Sequence, residues 1–307
     1  MMTDAHRNRI AAFMPKPRSS TPRPQTSSRP QQRRSERAAP HEHPGQPSAS
    51  RNEGQRAPRE HRGRGRQGGK PGGPYWLAGV HAVQAALENP ARTILRVLLT
   101  TEARPDFIER LSTPLPALAE TTDRAHLAAL LGAETVHQGV AALVEPLESM
   151  DLEDALERPG PVLVLDQVTD PRNVGAILRS AAAFGAACIV MQDRHAPDEG
   201  AALAKAASGA LEIVPLIRVV NLARSLETLK RQDIWTIGLD AGGSRLNGSS
   251  LGGRRAALVL GSEGDGLRRL TREACDEIAG VYMPGHMESL NVSVAAAVGL
   301  YELIRAD

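Results

Sequence analysis

Residues 161–183 read Pro161-Val162-Leu163-Val164-Leu165-Asp166-Gln167-Val168-Thr169-Asp170-Pro171-Arg172-Asn173-Val174-Gly175-Ala176-Ile177-Leu178-Arg179-Ser180-Ala181-Ala182-Ala183, and the fold turns on how they are read. Val162–Asp166 is an unbroken apolar run closed by a carboxylate, the pattern of a strand buried on both faces. Val174, Ile177, Leu178 and Ala181 then recur at helical spacing, with Asp170 and Asn173 available as caps. Strand, short polar loop and helix together make the repeating unit of a parallel sheet covered on both sides. Downstream the alternation continues. Strands fit Cys188–Met191, Glu212–Ile217, Ile234–Leu239 and Ala256–Gly261, helices fit the stretches between, and a last helix runs from about Leu290 to Ile304. The expected class is α/β, with a ligand site at the carboxyl ends of the strands.

Upstream, residues 75–147 alternate on a smaller scale. Helices fit Val80–Leu87, Phe107–Leu111 and Ala125–Leu131, and strands fit Val97–Thr100 and Gly139–Val144, which predicts a compact α/β unit. Residues 148–161 are acidic and end Pro159-Gly160-Pro161, a turn-rich linker to the domain of residues 162–307. Residues 1–73 hold Arg, Pro, Gly, Ser and Gln with almost no large aliphatic side chain, so they cannot bury enough surface to offset the entropy of ordering and are expected to be disordered.

The formal net charge of +2 conceals a division. Up to Pro74 there are 16 Lys and Arg against 5 Asp and Glu, leaving 21 basic and 30 acidic residues for the rest. The tail is strongly basic and the body acidic, and Arg62-Gly63-Arg64-Gly65-Arg66 resembles segments that hold nucleic acid through its phosphates. A solubilising linker is the plainer reading, and the many prolines argue against an amphipathic transit peptide. Aromatic residues make up only 3%, which excludes a broad base-stacking platform. Cys188 and Cys275 stand alone, so neither a disulfide framework nor a cysteine-based metal site is expected, and a reducing cytoplasm suits them. The longest nearly apolar run, Ala181 to Met191, is far short of the roughly 20 residues of a membrane span, so a soluble protein is expected.

Three loops of the second domain place small or polar groups beside strand or helix ends. In the opening stretch, Arg172, Gly175 and Arg179 fall opposite the apolar stripe, which aims Arg179 away from the core. The second loop, Gly261-Ser262-Glu263-Gly264-Asp265-Gly266, sets three glycines around carboxylates after a strand, where exposed backbone N–H groups can hold a polar ligand. It is not a G-x-G-x-x-G dinucleotide loop, and no phosphate-binding G-x-x-x-x-G-K-[ST] occurs. The third, Met283-Pro284-Gly285-His286-Met287-Glu288-Ser289-Leu290-Asn291-Val292-Ser293, crowds three polar residues at a helix start that needs one cap. A capped helix and a structural turn would account for each loop singly.

Together, in this order and near the carboxyl terminus, the three loops resemble the three motifs of the SpoU (TrmH-like) branch of the SPOUT RNA methyltransferases. Gly79-Val80-His81-Ala82-Val83 and His137-Gln138-Gly139-Val140 are similar to the ends of a ribosomal-protein-like substrate-binding domain found in many members, and the likeness runs from about Tyr75 to the end. The two-domain plan resembles that of members acting on a guanosine of 23S rRNA. The resemblance implies an α/β catalytic domain tied in a trefoil knot, S-adenosylmethionine as cofactor, RNA as substrate with rRNA favoured over tRNA, a homodimer, and no metal. It implies a catalytic set of Asn173, Arg179, Glu263, Ser289 and Asn291, with Gly261, Met283 and Leu290 lining the cofactor pocket. Gly285-His286-Met287-Glu288 departs from the pattern, which makes His286 a surface-loop residue before it is a base.

Because a guanidinium with a pKa above about 12 is a poor proton acceptor, Arg179 is expected to act as a cation. It would grip a phosphate and steady the developing alkoxide while Ser289 and Asn291 orient the sugar and Glu263 orients Arg179 or Asn173. The competing readings are a tRNA methyltransferase of the same family and a noncatalytic RNA-binding assembly protein that keeps the fold.

Overall fold

The computed structural model describes residues 72–305, so the basic tail lies outside the described residues but for its last two. The first unit comprises β1 (Tyr75–Ala78), α1 (Val80–Glu88), β2 (Ile94–Thr100), α2 (Arg104–Arg110), β3 (Ala119–Thr122), α3 (Arg124–Leu131) and β4 (Val140–Val144). The second comprises α4 (Leu152–Leu156), β5 (Val162–Leu165), α5 (Pro171–Ala183), β6 (Cys188–Gln192), α6 (Ala201–Ala207), β7 (Leu216–Val219), α7 (Leu222–Arg231), β8 (Trp235–Arg245), β9 (Ala256–Leu260), α8 (Arg269–Ala274), β10 (Glu277–Gly280) and α9 (Val292–Ile304).

The small sheet has the order β1-β4-β2-β3, with β4 antiparallel to both its neighbours and β3 parallel to β2. The large sheet has the order β10-β8-β9-β5-β6-β7, and every pairing in it is parallel. From β5 the chain steps outward through β6 to β7, then returns by β8 to lay β9 against the other edge of β5. The strand order therefore reverses between β5 and β9, where an open parallel sheet leaves its ligand crevice. All residues of these two strands are buried, as continuous Val, Leu and Ala runs require. Leu165 pairs with Leu260, so Asp166 and Gly261 leave the sheet side by side.

Several elements differ from the sequence reading. Residues 148–161 contain α4, and Leu152, Ala155 and Leu156 are buried in the core cluster below β5 and β6, so this stretch packs as well as links. Strand β7 begins at Leu216, because Ala210–Glu212 close a 3₁₀ turn. Strand β8 continues to Arg245 through an irregularity: Gly238 pairs with Ile278 and Ser244 with Ala279, so residues 239–243 have no partner on β10, while Leu239 still pairs with Leu260 of β9. A Cβ at Gly243 would lie 2.6 Å from the Ile278 carbonyl oxygen, and only glycine lets the strand rejoin so closely. Gly175 is buried, and its missing Cβ is replaced by Ala206, whose own Cβ would be 2.4 Å away. The face of α5 opposite the sheet is thus partly a seat for α6, and of the three residues expected there Arg172 and Arg179 remain exposed.

A buried charge cluster joins the two units. Arg92, between α1 and β2, donates to both carboxylate oxygens of Glu212, to Glu199 Oε1 at 2.7 Å and to the Glu145 carbonyl at 2.6 Å. Tyr75 Oη donates to Glu199 at 2.8 Å and Asn89 Nδ2 to Glu212 at 2.8 Å. Burial works against the charge on Arg92, but the hydrogen-bonded Glu212 outweighs it and the guanidinium pKa is raised. Burial and the charge of Glu199 push the Tyr75 phenol upward as well. None of these residues was singled out from the sequence, where they are scattered over more than a hundred positions.

Candidate active site

Asp166 is wholly buried at the end of β5 and accepts from Arg268 twice, through Nε at 2.6 Å and the backbone N–H at 3.1 Å. This pairing anchors the far end of the loop that leaves β9. Within the loop, Ser262 and Gly266 exchange backbone hydrogen bonds of 3.1 Å, and Gly261 lies so close beneath Gly266 that a Cβ would be 2.1 Å from its carbonyl carbon. Glycine at 264 and 266 adopts positive φ, which the tight return demands. The loop is thereby a preformed rim that holds Glu263 outward.

Glu263 Oε1 accepts from Asn173 Nδ2 at 3.0 Å and from Asn291 Nδ2 at 2.6 Å, and Asn291 Nδ2 also lies 3.2 Å from Asn173 Oδ1. Asn291 Oδ1 meanwhile accepts from the N–H and hydroxyl of Ser293, capping α9. Asp170 caps α5 through the Arg172 N–H, which leaves Asn173 free for Glu263. One residue from each of the three loops thus meets in a single hydrogen-bonded triad, although 90 and 118 positions separate them.

Beside the triad opens a cavity of about 570 Å³. The glycine-rich loop, Met283, Ser289 and Leu290 line it, and the β8 bulge adds Leu239, Asp240 and Ala241. Its volume lies within the roughly 300–1,000 Å³ of small-molecule sites, and its mixture of aliphatic walls with a few convergent carboxylates, amides and hydroxyls suits a nucleoside-bearing ligand. Asp240 is a site residue that the sequence reading missed. It is held by Arg272 and by the Gly242 N–H, and the only signal for it was an Asp-Ala-Gly-Gly run breaking an expected strand.

Arg179 is not part of this cavity. It is exposed on α5, has no hydrogen-bond or ion-pair partner among the described residues, and lines a separate groove against α1. Glu263 therefore orients Asn173 and Asn291 within this chain, and not Arg179. His286 is exposed in its loop, and His137 Nδ1 accepts from the Gly139 N–H in a structural turn. No cluster of metal-ligating side chains occurs among the described residues, and none of their helices is long and apolar enough to cross a membrane.

Residues 160–301 match the SpoU rRNA Methylase family, and residues 76–150 match the RNA 2'-O ribose methyltransferase substrate binding family. Over 239 residues the chain is 42% identical to the 23S rRNA (guanosine-2'-O-)-methyltransferase RlmB of Xylella fastidiosa, an alignment spanning 75% of this chain and 96% of that relative. The chain belongs to the SpoU family. A second relative, RlmB of Vibrio parahaemolyticus, is 41% identical with the same two coverages. Among solved structures, a putative RNA methyltransferase of the TrmH family from Porphyromonas gingivalis matches with a TM-score of 0.60 and 26% identity over 75% of this chain and 89% of that one. The SpoU methyltransferase AviRb from Streptomyces viridochromogenes, in complex with AdoMet, shares the fold at a TM-score of 0.61 and 23% identity, again over 75% and 89%. The mostly parallel α/β architecture is thus that of the family, with the substrate-binding unit preceding the catalytic one.

Proposed function

We propose that this chain transfers a methyl group from S-adenosylmethionine to a ribose 2′-hydroxyl in RNA, that of a guanosine of 23S rRNA. The observation that carries the reading is the Asn173–Glu263–Asn291 triad at the rim of a cavity beside the β5/β9 reversal, in a chain that aligns with nearly the whole length of relatives named for that reaction. The cavity residues fit the cofactor: Gly261 lets Gly266 fold closely over it and so shapes the glycine-rich wall, and Met283 and Leu290 give apolar walls. When bound there, the cofactor supplies an electrophilic sulfonium methyl. The chain must then present the ribose oxygen in line and favour its ionisation, since a hydroxyl is hardly ionised at neutral pH. Ser289 and Asn291 are placed to orient the sugar, and Glu263 fixes the amides so that they need no reorganisation as charge develops.

Arg179 supplies the cation for the substrate phosphate and the developing alkoxide, reaching the cavity of a second copy. The reading is a homodimer with shared sites. Val294, Val298 and Tyr301 support it, because they stand exposed at i, i+4 and i+7 and leave an apolar face on α9, on which the Tyr301 ring meets Phe184 at 6.2 Å between centroids. Membership in the family further implies a trefoil knot in the carboxyl-terminal segment, and a cytoplasmic location suits both the RNA substrate and two free thiols. The test is transfer of labelled methyl to in vitro transcribed 23S rRNA and to bulk tRNA, followed by mapping of the 2′-O-methyl position. Label on the 23S transcript at a guanosine is the expected result. Label only on tRNA, or none on either RNA, refutes the assignment.

A further inference from the structure

The groove that holds Arg179 has a second wall in the substrate-binding unit. His81, Gln84 and Glu88 of α1 face Arg179 of α5 across it, and Ser208 forms part of its floor. We infer that this groove, about 520 Å³ in volume, takes an RNA nucleotide flanking the methylated one, with His81 and Gln84 as positioning contacts from the substrate-binding unit. The inference rests on the RNA methyltransferase reading above and adds to it a binding surface and its residues.

Three features carry it. The groove is built to a fixed width: Gly209 has φ +93°, and a Cβ there would stand 3.0 Å from the His81 carbonyl oxygen and 3.1 Å from Ala85 Cβ, so α1 rests directly on the turn after α6. The Arg92 cluster, which ties the loop after α1 to Glu199 and Glu212 on either side of α6, holds that seat from behind. The polar groups are also free for a ligand. Arg179 and His81 have no hydrogen-bond partner for their side chains among the described residues, and Gln84 donates its amide to the Arg110 carbonyl at 2.9 Å, which leaves its Oε1 to accept. His137, the other histidine of this unit, is by contrast consumed in its turn.

The charges give the occupant a direction. Glu88 accepts from the N–H and hydroxyl of Ser112, both at 2.9 Å, and these bonds hold its pKa below the ordinary carboxylate value, so the carboxyl-terminal end of α1 stays negative. A phosphate therefore belongs with the Arg179 guanidinium, and a base or ribose edge with the His81 imidazole and the Gln84 carbonyl. A second protein chain would have to leave Arg179 unpaired or bring a carboxylate for it, whereas an RNA strand brings a phosphate at every step.

The experiment uses the full-length chain, in vitro transcribed 23S rRNA and labelled S-adenosylmethionine. His81 is exposed on a helix, so its variants fold. His81→Glu is expected to raise KM for the transcript about tenfold or more by like-charge repulsion, with cofactor affinity and Tm unchanged. His81→Gln, which keeps a neutral hydrogen-bonding side chain, should remain within about threefold of wild type. Gln84→Ala should also raise KM for RNA without altering cofactor binding. A His81→Glu KM within about twofold of wild type, or a loss confined to kcat, overturns the inference. If the wild-type chain methylates no transcript, the functional reading fails by itself. The groove is then judged on affinity for the same transcript measured without turnover, where equal binding by wild type and His81→Glu overturns it.

Discussion

Removing the guanidinium at position 92 tests the joint between the two units. The Arg92 side chain is 0% exposed, that of Glu212 3% and that of Glu199 15%, so Arg92→Met leaves two carboxylates in a nearly dry site with no cation. Breaking one side of a buried pair costs about 3–5 kcal/mol, because the remaining charge keeps its desolvation penalty. For a chain of this size 1 kcal/mol moves Tm by about 2–4 °C, so a fall of roughly 6–20 °C is expected. The penalty belongs to the stranded carboxylates and not to the lost methylenes, since Met fills similar volume. Adding Glu199→Gln and Glu212→Gln to Arg92→Met should therefore recover at least half of the lost stability, although every ion pair is now gone. Thermal melts at pH 7.5 with cofactor-binding titrations on the same samples make the assay, and cofactor affinity should hold because the cavity beside β9 contains none of the three residues. A single variant that melts within about 2 °C of wild type, or a triple variant less stable than the single one, refutes the reasoning.

Three further outcomes are expected of the chain. Mixed dimers of Arg179→Ala and Asn291→Ala chains should regain roughly a quarter of wild-type activity, since half the dimers are mixed and each carries one intact site; verified heterodimers without activity would assign Arg179 to its own chain. Burial pushes the thiols of Cys188 and Cys275 up to about 11, so alkylation of the folded protein should stay slow through pH 9. The unfolded chain ionises from about pH 8.5 and the folded one only near 11, so these thiols contribute stability that is lost as pH rises across that window; rapid labelling at pH 8 or a flat alkaline stability curve would contradict it. Deleting residues 1–73 should lower RNA affinity and flatten its salt dependence while leaving cofactor affinity intact, and an unchanged slope would make the tail a spacer.

What could be read from the sequence depended on how local its cause was. Strands β5, β6 and β9 were legible because a strand buried on both faces must be apolar without interruption, and α5 because one of its faces repeats at helical spacing. Strands β1, β3 and β10 were not, because none of them is buried along its whole length, and the β8 bulge was hidden because its cause is a pairing with β10 that no local pattern encodes. The three loops were recognisable as unusual because each carries more polar groups than its turn or cap requires. Their meeting through Glu263 followed from the β5/β9 reversal, which strand–helix alternation makes available without specifying strand order.

For Arg179, helical spacing fixes less than tertiary packing does. Helical spacing correctly kept it off the core stripe, but that left two faces open, and Gly175 on the same side turned out to be buried against α6. A residue's angular position on a helix says what it does not bury; what it meets is decided by the neighbouring elements. Here those neighbours are α6 and α1, and α1 is held in place by carboxylates that flank α6. If the guanidinium serves a second copy's cavity, the substrate-binding unit of one chain must present RNA next to the cation that the same chain contributes. Binding and charge stabilisation then come from one chain and the methyl donor's cavity from the other. Loosening the Arg92 joint should in that case impair RNA turnover well before it affects cofactor binding, a separation that a site contained within one chain and one domain would not show.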